Sequence, residues 1–202
     1  RADTLTAHYK KGPNGKNQIW KVVGAGNVLI LSGSDKITGQ QAVYLIEPGI
    51  FTITGNNLKI DNGKRTITAR DRIEYRSKQQ IAYVVGKAKA VEDKRTISAD
   101  RFVAHFKKGK GGKTEMSKVD AVGNVVIMTE KEVVRGDKGE FDNETRIATL
   151  TGNVRVTSGD NQLNGAKAIV NMKTGVSRLV ATKNERIRVL IKPGEGGGGL
   201  DI

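Results

Sequence analysis

One pair of short motifs recurs five times along the chain, and this repeat limits the possible folds more than any other feature. The first motif is Gly-Asn-Val, which begins at Gly26, Gly123 and Gly152 and has degenerate copies at Gly55 and Gly86. The second motif ends in Gly or Ala 13 or 14 residues later. Its copies are Ile37-Thr38-Gly39, Ile67-Thr68-Ala69, Ile97-Ser98-Ala99, Val134-Arg135-Gly136 and Leu163-Asn164-Gly165. This regularity predicts a stack of similar units.

A longer duplication includes the short repeat. Residues 1–56 align with residues 98–153 at an offset of 97 without gaps, and 22 of the 56 positions are identical. Both halves carry the same Lys/Gly-rich insertion, Lys10–Lys16 and Lys107–Lys113. The two halves are therefore expected to fold alike.

Alternation of apolar and polar residues predicts an all-β fold. Segments such as Ile73–Arg76 and Asn153–Thr157 alternate, while no segment keeps a helical period. Turn signals such as Asp61-Asn62-Gly63 recur between them. We expect about 15 short strands, built from repeated hairpins into an elongated, curved, two-layer antiparallel jelly roll. A parallel β-helix is the main alternative, but links of about two to four residues favour antiparallel hairpins.

The composition favours an anionic partner. The net charge is +14, from 35 Lys and Arg against 21 Asp and Glu. Such a charge suits nucleic acid, phosphorylated lipid or acidic glycan, although a basic surface without a specific ligand gives the same count. Aromatic residues are only 4% and fall on the alternating apolar face, and no nucleic-acid-binding motif is present. We therefore do not expect nucleic acid as the partner.

No catalytic constellation can be assembled from the sequence. His8 and His105 occupy the same position in the two halves, whereas a catalytic His is expected in one copy only, so we interpret both as structural. Asp3, Asp100 and Asp137 follow a small residue, where a turn or cap role is expected and a paired-carboxylate site is the alternative. The chain has no Cys, which excludes disulfides and thiolate sites. We expect no enzymatic activity, metal or cofactor.

The continuous apolar face has two interpretations. It forms an ordinary packed core, or it encloses a groove in which acyl chains lie between the layers, each buried methylene contributing about 0.8 kcal/mol. Phosphate contacts are expected at Lys107, Lys108, Lys110 and Lys113, although a solvated loop explains these lysines equally well. The inward-facing candidates are Val28, Ile30, Tyr44, Ile53, Ile60, Ile73, Tyr75, Phe102, Phe106, Val125, Ile127, Phe141, Leu150, Val154, Val156 and Leu163.

The motifs also resemble those of the OstA-like family. Residues 145–180 carry the resemblance best, with Thr151–Val156, Gly159–Ala168 and Met172–Gly175, and its pattern extends over residues 2–192. The two Lys/Gly insertions are not part of the family pattern.

The resemblance implies a slightly open β-jelly roll that works in the periplasm of Gram-negative bacteria as part of outer-membrane assembly. It implies a non-enzymatic carrier that holds the acyl chains of lipopolysaccharide and passes it from the inner to the outer membrane. Partners would be jelly-roll proteins of the same bridge at both membranes, joined with further copies end to end through edge strands. Those edges are predicted at Leu5, Ala7, Tyr9, Ile187, Val189 and Ile191. The alternatives are a polyanion-binding β protein without a groove, or the periplasmic part of the membrane-anchored relative.

The sequence predicts a single domain over residues 1–192, duplicated at about 1–97 and 98–192. Residues 193–202 contain four consecutive glycines and are expected to form a flexible tail. No apolar run approaches the ~18 residues of a membrane span. Because the chain opens in the middle of a recurring motif, we expect upstream sequence such as a cleaved signal.

Overall fold

The computed structural model describes residues 1–109, 112, 114–181 and 186–190. This part of the chain contains fifteen strands and no α-helix, which confirms the predicted all-β class. The strands are β1 Thr4–Lys11, β2 Asn17–Ser32, β3 Asp35–Leu45, β4 Ile50–Thr54, β5 Leu58–Asp61, β6 Arg65–Ala69, β7 Arg72–Arg76, β8 Ile81–Glu92, β9 Arg95–Lys108, β10 Thr114–Met128, β11 Val133–Asp142, β12 Ile147–Ser158, β13 Asn161–Asn171, β14 Val176–Val180 and β15 Arg188–Leu190.

Every strand pair in the described part is antiparallel, so the parallel β-helix alternative is wrong. One hydrogen-bonded path runs β1-β2-β3-β4-β7-β8-β9-β10-β11-β12-β13-β14. Off this path, β5 pairs with β3 and β6, β6 also pairs with β8, and β15 pairs with β13. Most neighbours in space are neighbours in sequence because short turns can join antiparallel strands directly.

Several strands are much longer than the short strands predicted from the sequence. β2 has 16 residues, β10 has 15 and β9 has 14. In β2, β10 and β12 the Gly-Asn motif lies inside the strand as a bulge that shifts the register. A bulge bends a strand without ending its hydrogen bonding, so one long strand serves two layers.

The pairing of β3 shows how the two layers form. Residues 41–45 of β3 pair with β4, whereas residues 36–38 pair with β5. The first layer contains β1, β4, β7 and β14, and the second layer contains β5, β6 and β15. The long strands β2, β3 and β8 to β13 each contribute one half to each layer. We call the bulged side the corner, and the opposite side, where the turns of both layers lie, the mouth.

The corner is built by the same three residues in several repeats. Gly26 and Asn27 have φ angles of 75° and 45°, a left-handed conformation that Gly tolerates best and Asn better than most residues. The Asn27 side-chain amide donates to the Asp3 carboxylate at 2.9 Å. Asn124 donates in the same way to Asp100 at 2.9 Å, and Asn153 to Asp137 at 2.7 Å. The three aspartates therefore have a structural role at the bulges, whereas the sequence predicted a role in a turn or cap.

The core lies between the layers and runs along the whole stack. Its fully buried members include Ile53, Leu58, Ile127, Leu150 and Val134. They alternate with outward polar residues, which is why each strand buries one face only. Among the described residues, no buried side-chain nitrogen or oxygen lacks a hydrogen-bond partner.

Candidate functional site

The candidate site is the apolar space between the two layers. Where the end of the first half meets the second half, this space is a cavity of about 100 Å³, whose apolar lining includes Val84, Ile97, Phe102, Ile127 and Phe141. Ligand pockets usually measure about 300–1,000 Å³, so the second half is nearly closed in this conformation.

The amino-terminal end of the first half has more room than this cavity. A groove of about 360 Å³ lies near the amino terminus and is lined by Leu5, Val28, Ile30, Tyr44 and Phe51. Tyr44 is 41% exposed and Leu5 is 76% exposed. The interior is therefore open to solvent at this end, and its lining is apolar.

Thirteen of the sixteen residues predicted to face inward belong to the core or pack against it. Nine of them are buried: Val28, Ile53, Ile73, Phe102, Val125, Ile127, Leu150, Val154 and Val156. Four more pack against this core while half-buried: Ile30, Ile60, Phe141 and Leu163. Tyr75 and Phe106 contact each other edge to face, with ring centroids 5.7 Å apart. Tyr44 lines the open groove.

Charged residues that the sequence did not single out surround the mouth of the second-half cavity. Arg65, Glu92, Arg95 and Arg146 all line it. The Arg146 guanidinium, from the first layer, donates to Glu92 of the second layer at 2.9 Å. Arg65, the cross-strand neighbour of Glu92, lies 3.7 Å from the same carboxylate. These side chains lie far apart in the sequence, so they could not be identified there as one cluster. Alternation of apolar and polar residues indicates which face of a strand a residue occupies, but not which distant residues it contacts.

Further contacts hold the two layers together along this part of the mouth. Arg95 donates to the carbonyl oxygen of Lys173 at 3.1 Å. The Thr129 hydroxyl donates to the carbonyl of Gly175 at 3.4 Å. The Glu132 carboxylate accepts from the hydroxyl and the backbone amide of Ser177. Each of these bonds joins a turn or strand of one layer to the other layer.

The turn before β12 places Arg146. The Asp142 carboxylate accepts from the backbone N–H and the hydroxyl of Thr145 at 2.8 and 2.9 Å, and from the N–H of Glu144 at 3.0 Å. These hydrogen bonds lower the pKa of the Asp142 carboxyl, and the bond from the Thr145 N–H has the largest effect. Arg146 then adopts a φ of 61°, with its guanidinium carbon 5.2 Å from the Phe141 ring centroid.

The predicted phosphate-binding lysines lie elsewhere. Lys107 pairs with Glu144 at 3.4 Å, and Lys108 is exposed at the end of β9. Lys110 and Lys113 lie outside the described residues. In the first half, Lys10 pairs in the same way with Glu47 at 2.7 Å, and this hydrogen bond lowers the pKa of the Glu47 carboxyl.

The two histidines have different surroundings despite their equivalent positions. His105 Nε2 lies 2.7 Å from an Asp120 carboxylate oxygen. His8 instead stands near Trp20, with ring centroids 6.2 Å apart. The described residues contain no group of three or more His, Cys, Asp or Glu that could hold a metal ion. They also contain no helix long and apolar enough to cross a membrane.

Both ends of the strand path expose a sheet edge. β1 pairs only with β2, and its Leu5 and Tyr9 are 76% and 61% exposed, with Ala7 exposed between them. At the other end, the described pairings of β14 and β15 are with β13, one in each layer. The exposed Ile187 and Val189 belong to this end, and Ile191 lies outside the described residues. The edge strand β14 was not predicted from the sequence.

Comparisons with known proteins agree with this architecture. The model of the family described as LptA/(LptD N-terminal domain) LPS transport protein matches residues 66–176. The crystal structure of LptH from Pseudomonas aeruginosa, the LptA-homologous periplasmic component of a lipopolysaccharide transport device, is similar with a TM-score of 0.53. The identity is 15%, and the match covers 64% of this chain and 95% of LptH. A search of curated proteins finds no match. The resemblance to the OstA-like family is confirmed, and the likeness to LptH supports the predicted jelly-roll fold.

Proposed function

Because the chain belongs to the LptA/(LptD N-terminal domain) family of lipopolysaccharide transport proteins, we propose that it is a non-enzymatic carrier of lipopolysaccharide. The acyl chains lie between the two layers, and the ligand passes along the stack from the inner to the outer membrane through the periplasm. The observation that carries this proposal is the single apolar face that lines the interior from the exposed groove near Tyr44 to the cavity near Phe141.

The energetics of such binding are favourable. Each methylene buried against this face contributes about 0.8 kcal/mol before ordering costs are counted. The exposed groove offers an entry, and the closed second half must open to admit a chain longer than its cavity. Where the interior is closed, an entering acyl chain would replace apolar contacts within the protein by similar apolar contacts with the ligand.

Photo-crosslinking tests the groove. A photoreactive residue is placed at Tyr44, at Ile127 and, as an outward control, at Arg155, which is exposed on the second layer. With purified lipopolysaccharide we expect strong labelling at positions 44 and 127 and little at 155, and the labelling should persist at high salt. Equal labelling at all three positions would contradict an interior site.

We also propose that copies join end to end through β1 and the β14–β15 end. The exposed edges Leu5–Tyr9 and Val189–Leu190 offer unpaired backbone groups to a neighbouring strand. The same edges would receive the jelly-roll partners at the two membranes. Sedimentation velocity over a range of concentrations tests this arrangement, and a protein that stays monomeric at millimolar concentration would argue against it.

One observation favours the polyanion alternative. The outer face of the second layer carries exposed Lys89, Arg135, Arg155 and Arg188, and Arg135 lies directly opposite Arg155. No described ion pair involves these four side chains. Binding of an anionic polymer to this face should weaken steeply with salt, whereas acyl-chain binding in the groove should largely persist. A salt titration of lipopolysaccharide binding therefore separates the two functions.

A further inference from the structure

We propose that Arg65, Arg95 and Arg146 form a binding site for a phosphate group of the amphipathic ligand, and that Glu92 occupies this site in the free protein. This inference rests on the proposed lipopolysaccharide carriage and adds to it the position of the anionic headgroup. The site lies at the mouth of the second half, above the cavity.

The position of the arginines relative to the cavity carries the argument. All three line the apolar cavity that contains Ile97 and Phe141. A ligand with its acyl chain in this cavity would therefore bring its headgroup to the guanidinium groups. Free phosphate would contact the guanidinium groups but not the apolar surface of the cavity, so it should bind more weakly than a phosphorylated lipid.

The local charge is unbalanced in favour of an anion. One described carboxylate, Glu92, faces Arg65 at 3.7 Å and Arg146 at 2.9 Å, while Arg95 donates to a backbone carbonyl. Arg65 and Arg146 thus share one carboxylate, and Arg95 has no described carboxylate partner. The other carboxylate that lines the cavity, Glu140, is paired with Lys118 at 3.1 Å. The side chains of Arg146 and Arg65 are 22% and 31% exposed, so they are partly shielded from water. Planar guanidinium groups bind phosphate through paired hydrogen bonds, which suits them to this role.

The backbone at Arg146 gives a second reason to assign it a function. Its φ of 61° is left-handed, a conformation that costs roughly 1–2 kcal/mol in a residue other than Gly. The equivalent residue of the first half is Gly49, with a φ of 67°. The first half also has Leu45 where the second half has Asp142, whose side chain orders the turn. The second half therefore holds an Arg, at a cost, where Gly would suffice for the turn.

Glu92 then acts as a placeholder. An entering phosphate competes with the carboxylate for Arg146 and Arg65, and breaking the Arg146–Glu92 pair also removes a link between the layers. Occupation of the site by a headgroup phosphate would thus loosen the mouth at the point where the acyl chain must enter. Removing the Glu92 charge should strengthen phosphate binding, because the competing anion is lost.

The test compares two lipids on the full chain at low salt. The probes are lipid A, the acylated and phosphorylated part of lipopolysaccharide, and the same lipid after removal of its phosphates. For Arg146→Gln we expect about a tenfold loss of affinity for the phosphorylated lipid and no change for the dephosphorylated one. Glu92→Gln should bind the phosphorylated lipid more tightly. Arg101→Gln, which removes an exposed Arg that does not line the cavity, is the matched control and should change neither affinity.

The outcomes separate the two proposals. If neither lipid binds, the carrier function itself fails. If both bind and Arg146→Gln leaves the preference for the phosphorylated lipid unchanged, the phosphate site is wrong while the carrier function stands. Inorganic phosphate is the third probe, and competition at concentrations as low as those of lipid A would overturn the assignment to a lipid headgroup. Arg95→Gln replaces Arg146→Gln if that variant fails to fold by circular dichroism, and is expected to lower the same preference.

Discussion

The two halves of the duplicated sequence share one corner but differ at the mouth. Asn27 and Asp3 in the first half, and Asn124 and Asp100 in the second, form the same hydrogen bond at 2.9 Å. At the mouth, by contrast, the described contacts between layers all involve the second half or its boundary, such as Arg146–Glu92 and Glu132–Ser177. Among the described residues of β1–β7, no hydrogen bond or ion pair joins the layers there.

Burial follows the same division. Ile127 is 2% exposed, whereas its first-half equivalent Ile30 is only half-buried. Val134 is fully buried, and its equivalent Ile37 is half-buried. The comparison teaches that one hairpin pattern can produce either a closed core or an open groove. The hydrogen bonds between the layers at the mouth lie beside the closed core.

Matched truncation of an inward residue in each half should give the largest effect. Ile127→Ala leaves a cavity in a closed core and should lower the free energy of unfolding by about 3 kcal/mol. Ile30→Ala removes partly exposed surface and should cost about 1 kcal/mol. Urea unfolding of both variants measures the difference. Equal costs would mean that the first half is as closed in solution as the second.

Substitution at the corner should instead affect both halves equally. Gly26 and Gly123 have φ angles of 75° and 79°, and a Cβ at either would collide with the aspartate beside it. We expect Gly26→Ala and Gly123→Ala each to cost about 2 kcal/mol. Gly33→Ala, with a φ of 60° but open space around it, is the control for backbone strain alone and should cost less. A large difference between the first two variants would show that the corners are not equivalent.

The smallest effect concerns a single link across the mouth. Glu132 accepts two hydrogen bonds from Ser177, so Glu132→Ala should cost about 1 kcal/mol. Its first-half equivalent, Asp35, makes no side-chain hydrogen bond to a described residue, and Asp35→Ala should leave stability unchanged within about 0.3 kcal/mol. Thermal unfolding monitored by circular dichroism measures both. A cost for Asp35→Ala equal to that for Glu132→Ala would remove the distinction between the two mouths.

Much of the fold could be predicted because the same pattern of strands and turns recurs in each repeat of the sequence. The alternation in strands such as Asn153–Thr157 indicated the inward face, and the regular spacing of the two motifs indicated a stack of similar units. Strand length was misjudged for a physical reason. Two consecutive residues in the left-handed conformation are typical of a turn. Only the strand pairing before and after the motif shows that it is a bulge inside β2 or β10.

The candidate site was predictable only in part. Alternation was sufficient to select Ile127 and Val154, because facing inward depends on residue parity along one strand. It could not select Arg146 or Glu92, which are 54 positions apart and meet only when the layers fold over each other. The lysines chosen for phosphate contact were selected by local charge density, which carries no information about distance from the interior.

The sequence by itself determined the all-β class, the family and the duplicated hairpin pattern, since these depend on local periodicity and on motifs within a strand or turn. The tertiary structure alone decided which half is closed, because closure depends on contacts between turns that are distant in the chain. It also decided the setting of Arg146. The equivalent left-handed turn position is Gly49 in the first half and Arg146 in the second half. There the Arg146 guanidinium contacts Glu92 of the opposite layer at the edge of an apolar cavity.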